Sequence, residues 1–121
     1  NDEVRLEVGR WSEEYVHSNL QQWGNYSSII WENEHNESGK PYDFKVIENG
    51  VEKYIEVKGT PSASKDLIYL SNNEWNLMHE KQNDYFIIRV YNAGKSSVTS
   101  YKIENPSERI KNGLIEVALK I

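Results

Sequence analysis

Asp43, Glu56 and Lys58 are the residues whose types and spacing could do chemistry in this chain. Between the two acids stands Asn49-Gly50, a pair that favours the type I′ hairpin turn because both residues tolerate positive φ. With a two-residue loop there, Glu48 pairs with Val51, and counting outward sets Asp43 directly opposite Glu56. Opposed side chains of an antiparallel pair have Cβ atoms about 4.5 to 5.5 Å apart, and like charges so placed are destabilising. Strand alternation puts Lys58 on the face of Glu56, while Ile55 and Val57 point to the other face with Phe44 and Val46. A divalent cation between the carboxylates would relieve the repulsion. Mg²⁺ is expected, with Mn²⁺ as a substitute, because it takes hard oxygen ligands and keeps waters for exchange. The plain alternative is three ordinary surface charges on a half-exposed hairpin, the lysine neutralising an acid.

The elements that must position these residues follow from periodicity. From Val4 to Trp23, Val4, Val8, Trp11 and Tyr15 recur at spacings of four and three beside a row of Val16, Leu20 and Trp23, which predicts an amphipathic helix ending near Gly24. Ser28 to Trp31 suits a first strand, and Glu32 to Lys40 a polar loop. Tyr42 to Glu48 and Val51 to Lys58 form the hairpin. Leu67 to Leu70 is expected to extend the sheet, and Ser71-Asn-Asn-Glu74 has the form of a capping box opening a helix through about Gln82. Strands follow at Asp84 to Tyr91 and Val98 to Ile103, joined by a turn at Asn92 to Lys95. Asn105-Pro106 through Gly113 reads as a short capped helix before a last strand. The order is α-β-β-β-α-β, an α/β (α+β) arrangement with a C-terminal β/α extension.

With 121 residues, 37% of them hydrophobic, the chain suits one compact domain spanning 1–121. It starts at Asn1 with neither an initiator methionine nor an apolar leader, the expectation being a domain excised from a larger multidomain protein. It has no cysteine for a disulfide framework or thiolate site and no run long enough to span a membrane, so an intracellular setting without membrane contact is expected, cytoplasmic if bacterial. The net charge of -5 is the wrong sign for a domain that grips nucleic acid by phosphate neutralisation alone and counts against a stand-alone, tight DNA binder. It leaves room for a nuclease, because clustered metal-binding carboxylates make an empty site acidic and a bound cation changes the local sign.

The full pattern, Pro41-Tyr-Asp43 followed by Ile55-Glu-Val-Lys-Gly-Thr60, resembles the PD-(D/E)xK nuclease signature. The resemblance is closest to the NO VEIN C-terminal domain family, a PD-(D/E)xK-like module found at the end of large proteins, helicase-like and restriction-associated ones among them. Gly9-Arg-Trp-Ser-Glu-Glu14, Leu70-Ser-Asn-Asn-Glu-Trp75 and Tyr85-Phe-Ile-Ile-Arg-Val90 complete five matching elements in the right order. A tyrosine directly precedes Asp43, with the proline one position earlier as in the narrower family. The resemblance implies a restriction-endonuclease-like core with a mixed central sheet flanked by helices. It implies that Asp43 and Glu56 bind the metal, that the Val57 carbonyl assists, and that Lys58 orients or activates the attacking water. Some superfamily members, Holliday-junction resolvases included, add a glutamate from the first helix. The spacing Gly9-xxx-Glu13 is similar to theirs, which makes Glu13 the candidate fourth ligand.

The expected function is therefore that of a Mg²⁺-dependent endonuclease domain hydrolysing DNA, with RNA second, as the effector of a restriction or defence protein. In such a reaction negative charge builds on the nonbridging oxygens, where a cation and a nearby lysine would stabilise it. Expected partners are DNA, the remaining domains of the parent protein and a second copy, since nucleases that cut both strands often pair. The competing readings are a catalytically inactive nuclease-fold module that binds nucleic acid or protein, and a structural or oligomerisation module. Glu34 and His35 border the centre as secondary candidates for substrate or metal contact. His17 and His79 read as helix-surface residues, Trp11 and Trp31 as core, and Ser71 with Glu74 as a cap without chemistry.

Overall fold

A computed structural model describes residues 1–121. Helix α1 spans Asp2–Trp23, followed by strands β1 (Tyr26–Trp31), β2 (Phe44–Glu48) and β3 (Val51–Gly59). Helix α2 (Asn72–Lys81) leads through a 3-10 turn into β4 (Tyr85–Tyr91), β5 (Thr99–Glu104) and helix α3 (Pro106–Lys111). The five strands form one mixed sheet in sequence order: β1, β2, β3 antiparallel, β3 with β4 parallel, β4 with β5 antiparallel. A parallel pair needs a crossover, and α2 supplies it.

Alternation along β3 and β4 divides the core between two faces. Phe44, Val46, Ile55, Val57, Phe86, Ile88 and Val90 meet Val16 and Leu20 of α1 on one side. Tyr85, Ile87 and Met78, joined by Tyr54, Trp75, Ile103 and Ile110, fill the other, under α2 and α3. Each such fully buried large side chain stabilises the fold by roughly 1.5 to 3 kcal/mol. At Gly59 the helix and sheet touch: a Cβ there would come within 2.7 Å of Ser12 Cβ and collide with Ser12 Oγ as well. Only glycine allows α1 to sit that close to β3.

The hairpin turn forms as expected, with φ of 54° at Asn49 and 78° at Gly50. So does the capping box: Glu74 N–H donates to Ser71 Oγ at 3.1 Å, and Ser71 N–H donates to Glu74 Oε1 at 3.1 Å. Several expected boundaries move. Asn1 caps α1, its Oδ1 accepting from Glu3 and Val4 N–H, so the helix begins before the apolar row. The 67–70 segment forms no strand; Ile68 and Leu70 instead pack into the second core. No last strand follows α3 either. The Leu114 and Ile115 N–H groups turn back to the Arg109 carbonyl at 2.8 and 3.2 Å, and the residues beyond pair with neither edge of the sheet. No helix is long and apolar enough to cross a membrane.

Candidate functional site

The hairpin register runs as counted from Glu48 with Val51 to Phe44 with Ile55, and there the ladder stops. One residue further the pairing is offset. Asp43 N–H donates to the Ile55 carbonyl at 2.8 Å, while its carboxylate Oδ2 accepts the Val57 N–H at 2.8 Å. The side chain thus takes the place of a backbone acceptor and turns over the end of β3, where Asp43 and Glu56 are both buried.

Lys58 joins this pair through Glu56, its Nζ lying 3.3 Å from Glu56 Oε2, and is held from the other side by Glu74 Oε1 at 2.9 Å. Its main chain is fixed as well. Buried Arg89, level with Lys58 on β4, donates to the Lys58 carbonyl at 3.1 Å and to the Lys65 carbonyl at 2.7 Å. Glu56 Oε1 is buried with no hydrogen-bond partner. A carboxylate oxygen left so costs free energy unless a proton or a cation meets it.

Glu13 approaches from α1 and is tied to Asp43 through Asn33. The Asn33 amide nitrogen donates to Glu13 Oε1 at 3.0 Å and to Asp43 Oδ1 at 2.9 Å. Its oxygen accepts from the Ser38 N–H and hydroxyl at 3.0 and 2.9 Å, which fixes the direction of the amide. Trp31 Nε1 also donates to Glu13 Oε1, at 2.9 Å. The segment carrying Asn33 is held to α1 by Arg10, which donates to the Asn33 and Glu34 carbonyls, pairs with Glu14 and lies 4.3 Å over the Trp31 ring.

Burial and mutual repulsion govern the charges. Burial first, and Glu13 second, push the Asp43 carboxyl up to about 7 against the pull of the Val57 N–H and Lys58. Burial and then Asp43 raise Glu56 well above the usual carboxylate range, with Lys58 opposing. For Lys58 burial acts downward, yet Glu56 and Glu74 outweigh it and hold the ammonium above its ordinary value. Without a further cation, carboxylates outnumber the one ammonium among them.

The structure therefore brings Asp43, Glu56, Val57 and Lys58 together, with Glu13 joined through one amide. It leaves the Glu34 and His35 side chains outward, 3.6 Å from each other on the exposed loop. Asn33, Arg10 and the second role of Glu74 were not anticipated. Asn33 carries no sequence signal, whereas Glu74 was visible as a cap. No three carboxylate, imidazole or thiol side chains converge to hold an ion by themselves. Two acids with an unpartnered buried oxygen nevertheless fit Mg²⁺, which binds through one or two carboxylates and keeps several waters. An apolar concavity lined by Leu20, Trp23, Tyr26 and Phe86 contains none of these residues.

No solved structure matches this chain. It is 39% identical over 79 residues to Protein NO VEIN-LIKE of Arabidopsis thaliana, covering 64% of this chain and 12% of that protein. It is 34% identical over 110 residues to Protein NO VEIN of Arabidopsis thaliana, covering 88% of this chain and 4% of that protein. The chain thus spans a small fraction of the relatives it matches. Residues 10–103 match the family described as Protein NO VEIN, C-terminal, and on that extent the chain belongs to the NO VEIN C-terminal family.

Proposed function

We propose that this chain is a metal-dependent endonuclease domain of restriction-endonuclease-like fold, acting on DNA as one module of a larger protein. The observation that carries the reading is the buried Asp43 and Glu56 pair. Both carboxyls are held above their usual range, Glu56 Oε1 lacks a partner, and Lys58 stands 3.3 Å from the other oxygen. Such perturbed groups concentrate at functional sites.

In this reading Asp43, Glu56 and the Val57 carbonyl would hold Mg²⁺ or Mn²⁺, while Glu13 supports the site from α1 through the Asn33 amide it shares with Asp43. When bound, the cation supplies charge stabilisation for the phosphoryl oxygens and a more acidic water. The chain's own part is positioning. The Val57 N–H and Asn33 orient the Asp43 carboxylate, and Lys58 presents a donor and a positive charge to a phosphate oxygen or to the attacking water. Targeting to DNA is left to other domains, in keeping with the chain's net charge of -5. The same charge favours the second reading, a catalytically silent module that binds other proteins.

Incubation of the domain and its full-length parent with supercoiled plasmid and single-stranded DNA, in Mg²⁺, Mn²⁺ or EDTA, separates the two readings. Nicking that requires metal supports the nuclease. Intact DNA with both proteins, at enzyme excess and in either metal, leaves the silent module.

A further inference from the structure

We propose that Glu74 positions Lys58 for the reaction at the Asp43 and Glu56 site, in addition to capping α2; the proposal rests on the nuclease reading. Glu74 Oε1 accepts two donors, the Ser71 N–H at 3.1 Å and Lys58 Nζ at 2.9 Å. The capping box accounts for the first. It does not account for the second, which brings in a side chain 16 residues away in sequence and leaves the Glu74 side chain only 16% exposed.

Two features give that contact a purpose. Lys58 meets α2 in its first turn, at the end carrying the positive partial charge, where an ammonium is disfavoured unless an acid stands between. Glu74 is that acid. Further, an ammonium on a flexible four-carbon stem has three N–H donors. Glu74 Oε1 takes one of them at 2.9 Å, and the ion pair with Glu56 Oε2 at 3.3 Å draws the ammonium toward the carboxylates, which leaves it donors for a substrate oxygen. Glu56 and Glu74 together place the ammonium, and Glu74 does so from an element that holds no other part of the site.

The test compares three ¹⁵N-labelled proteins: wild type, Glu74→Gln and Ser71→Ala. Glutamine serves as well as glutamate in a capping box, so Glu74→Gln keeps the helix start and removes the charge. Ser71→Ala weakens the cap and leaves Lys58 its partner. The first readout is exchange of the Lys58 ammonium protons with water by NMR, assigned by their loss in Lys58→Arg. Wild type and Ser71→Ala are expected to show a protected signal, and Glu74→Gln an exchange about tenfold faster, as for loss of one charge-assisted hydrogen bond.

The second readout is DNA cleavage. Glu74→Gln should lower kcat about tenfold at a nearly unchanged KM, and Ser71→Ala should lower the melting temperature and neither constant. Wild-type-like protection of Lys58 in Glu74→Gln overturns the proposal, as does an unprotected Lys58 in wild type. Faster exchange with an unchanged kcat overturns the positioning role. If neither the wild-type domain nor its full-length parent cuts, the nuclease reading falls, and with it the part Glu74 plays in a reaction, while the exchange data still decide whether Glu74 holds Lys58.

Discussion

Asp43 Oδ2 accepts the backbone N–H of Val57 at 2.8 Å, one residue beyond the point where the β2 and β3 ladder ends. A side-chain oxygen thereby does the work of a backbone carbonyl. The aspartate is part of the sheet's hydrogen bonding as well as of the candidate centre, and changes to it affect both. Asp43→Asn removes a buried charge and keeps an acceptor for the Val57 N–H, but sets its own amide nitrogen against the Asn33 donor. In EDTA at pH 8 the relief from burying a charge offsets that loss, and stability is expected to stay within roughly 1 kcal/mol of wild type. In 10 mM Mg²⁺ only the wild type should gain stability. Thermal melts in the two buffers check both outcomes.

The pH dependence of stability follows from the same pair. The folded Asp43 carboxyl titrates near 7 against 3.8 for its ordinary value, and Glu56 is shifted in the same direction. The native state therefore binds more protons than the unfolded state between these limits. Its contribution is complete below about pH 4 and is lost as pH rises through about 7. Lys58, raised as well, keeps its stabilisation throughout this window. Urea melts in EDTA should show stability falling by roughly a few kcal/mol from pH 5 to pH 8. Mg²⁺ should flatten that slope, because a cation replaces the protons.

Gly59 is predicted to be intolerant of any side chain. Gly59→Ala drives a methyl into Ser12 and pushes α1 off β3, at an expected cost of roughly 1 to 3 kcal/mol. Combining it with Ser12→Gly removes the clashing atoms and should recover part of the loss beyond additivity, even though glycine within a helix itself costs about 1 kcal/mol. A double-mutant cycle by urea denaturation measures the coupling.

Asn33→Ala removes the amide that donates to both Glu13 and Asp43 and leaves those carboxylates facing one another. The expected destabilisation is roughly 2 to 3 kcal/mol at pH 8. It should be smaller at pH 5, where Asp43 is largely protonated in the fold. Equal losses at both pH values would show that Asn33 acts through packing alone.

Local rules made much of this molecule legible in the sequence. Asn49-Gly50 set the hairpin register, so Asp43, Glu56 and Lys58 could be brought together by counting, and Ser71 with Glu74 announced the start of α2. The periodic rule failed at the edges of those elements. Counting assumes a regular ladder, and Asp43 leaves the ladder by using its carboxylate in place of a carbonyl. The expected strands at 67–70 and after Gly113 were apolar runs. The first found a core to pack into, and the second no strand edge to pair with. Asn33 was invisible because nothing local distinguishes it from other loop asparagines; its role depends on α1 and β2 meeting in space. Glu74 was seen, but only for its local partner, since Lys58 reaches it across the fold.

The most direct test of the central claim is plasmid cleavage by wild type, Asp43→Ala, Glu56→Gln and Lys58→Ala in Mg²⁺ or Mn²⁺, with Mn²⁺ binding measured on the same samples. The account predicts saturable Mn²⁺ binding and metal-dependent nicking by wild type. Both should be lost in Asp43→Ala and Glu56→Gln. Lys58→Ala should keep Mn²⁺ binding with cleavage reduced at least roughly a hundredfold. Undiminished Mn²⁺ binding or cutting in Glu56→Gln would contradict it.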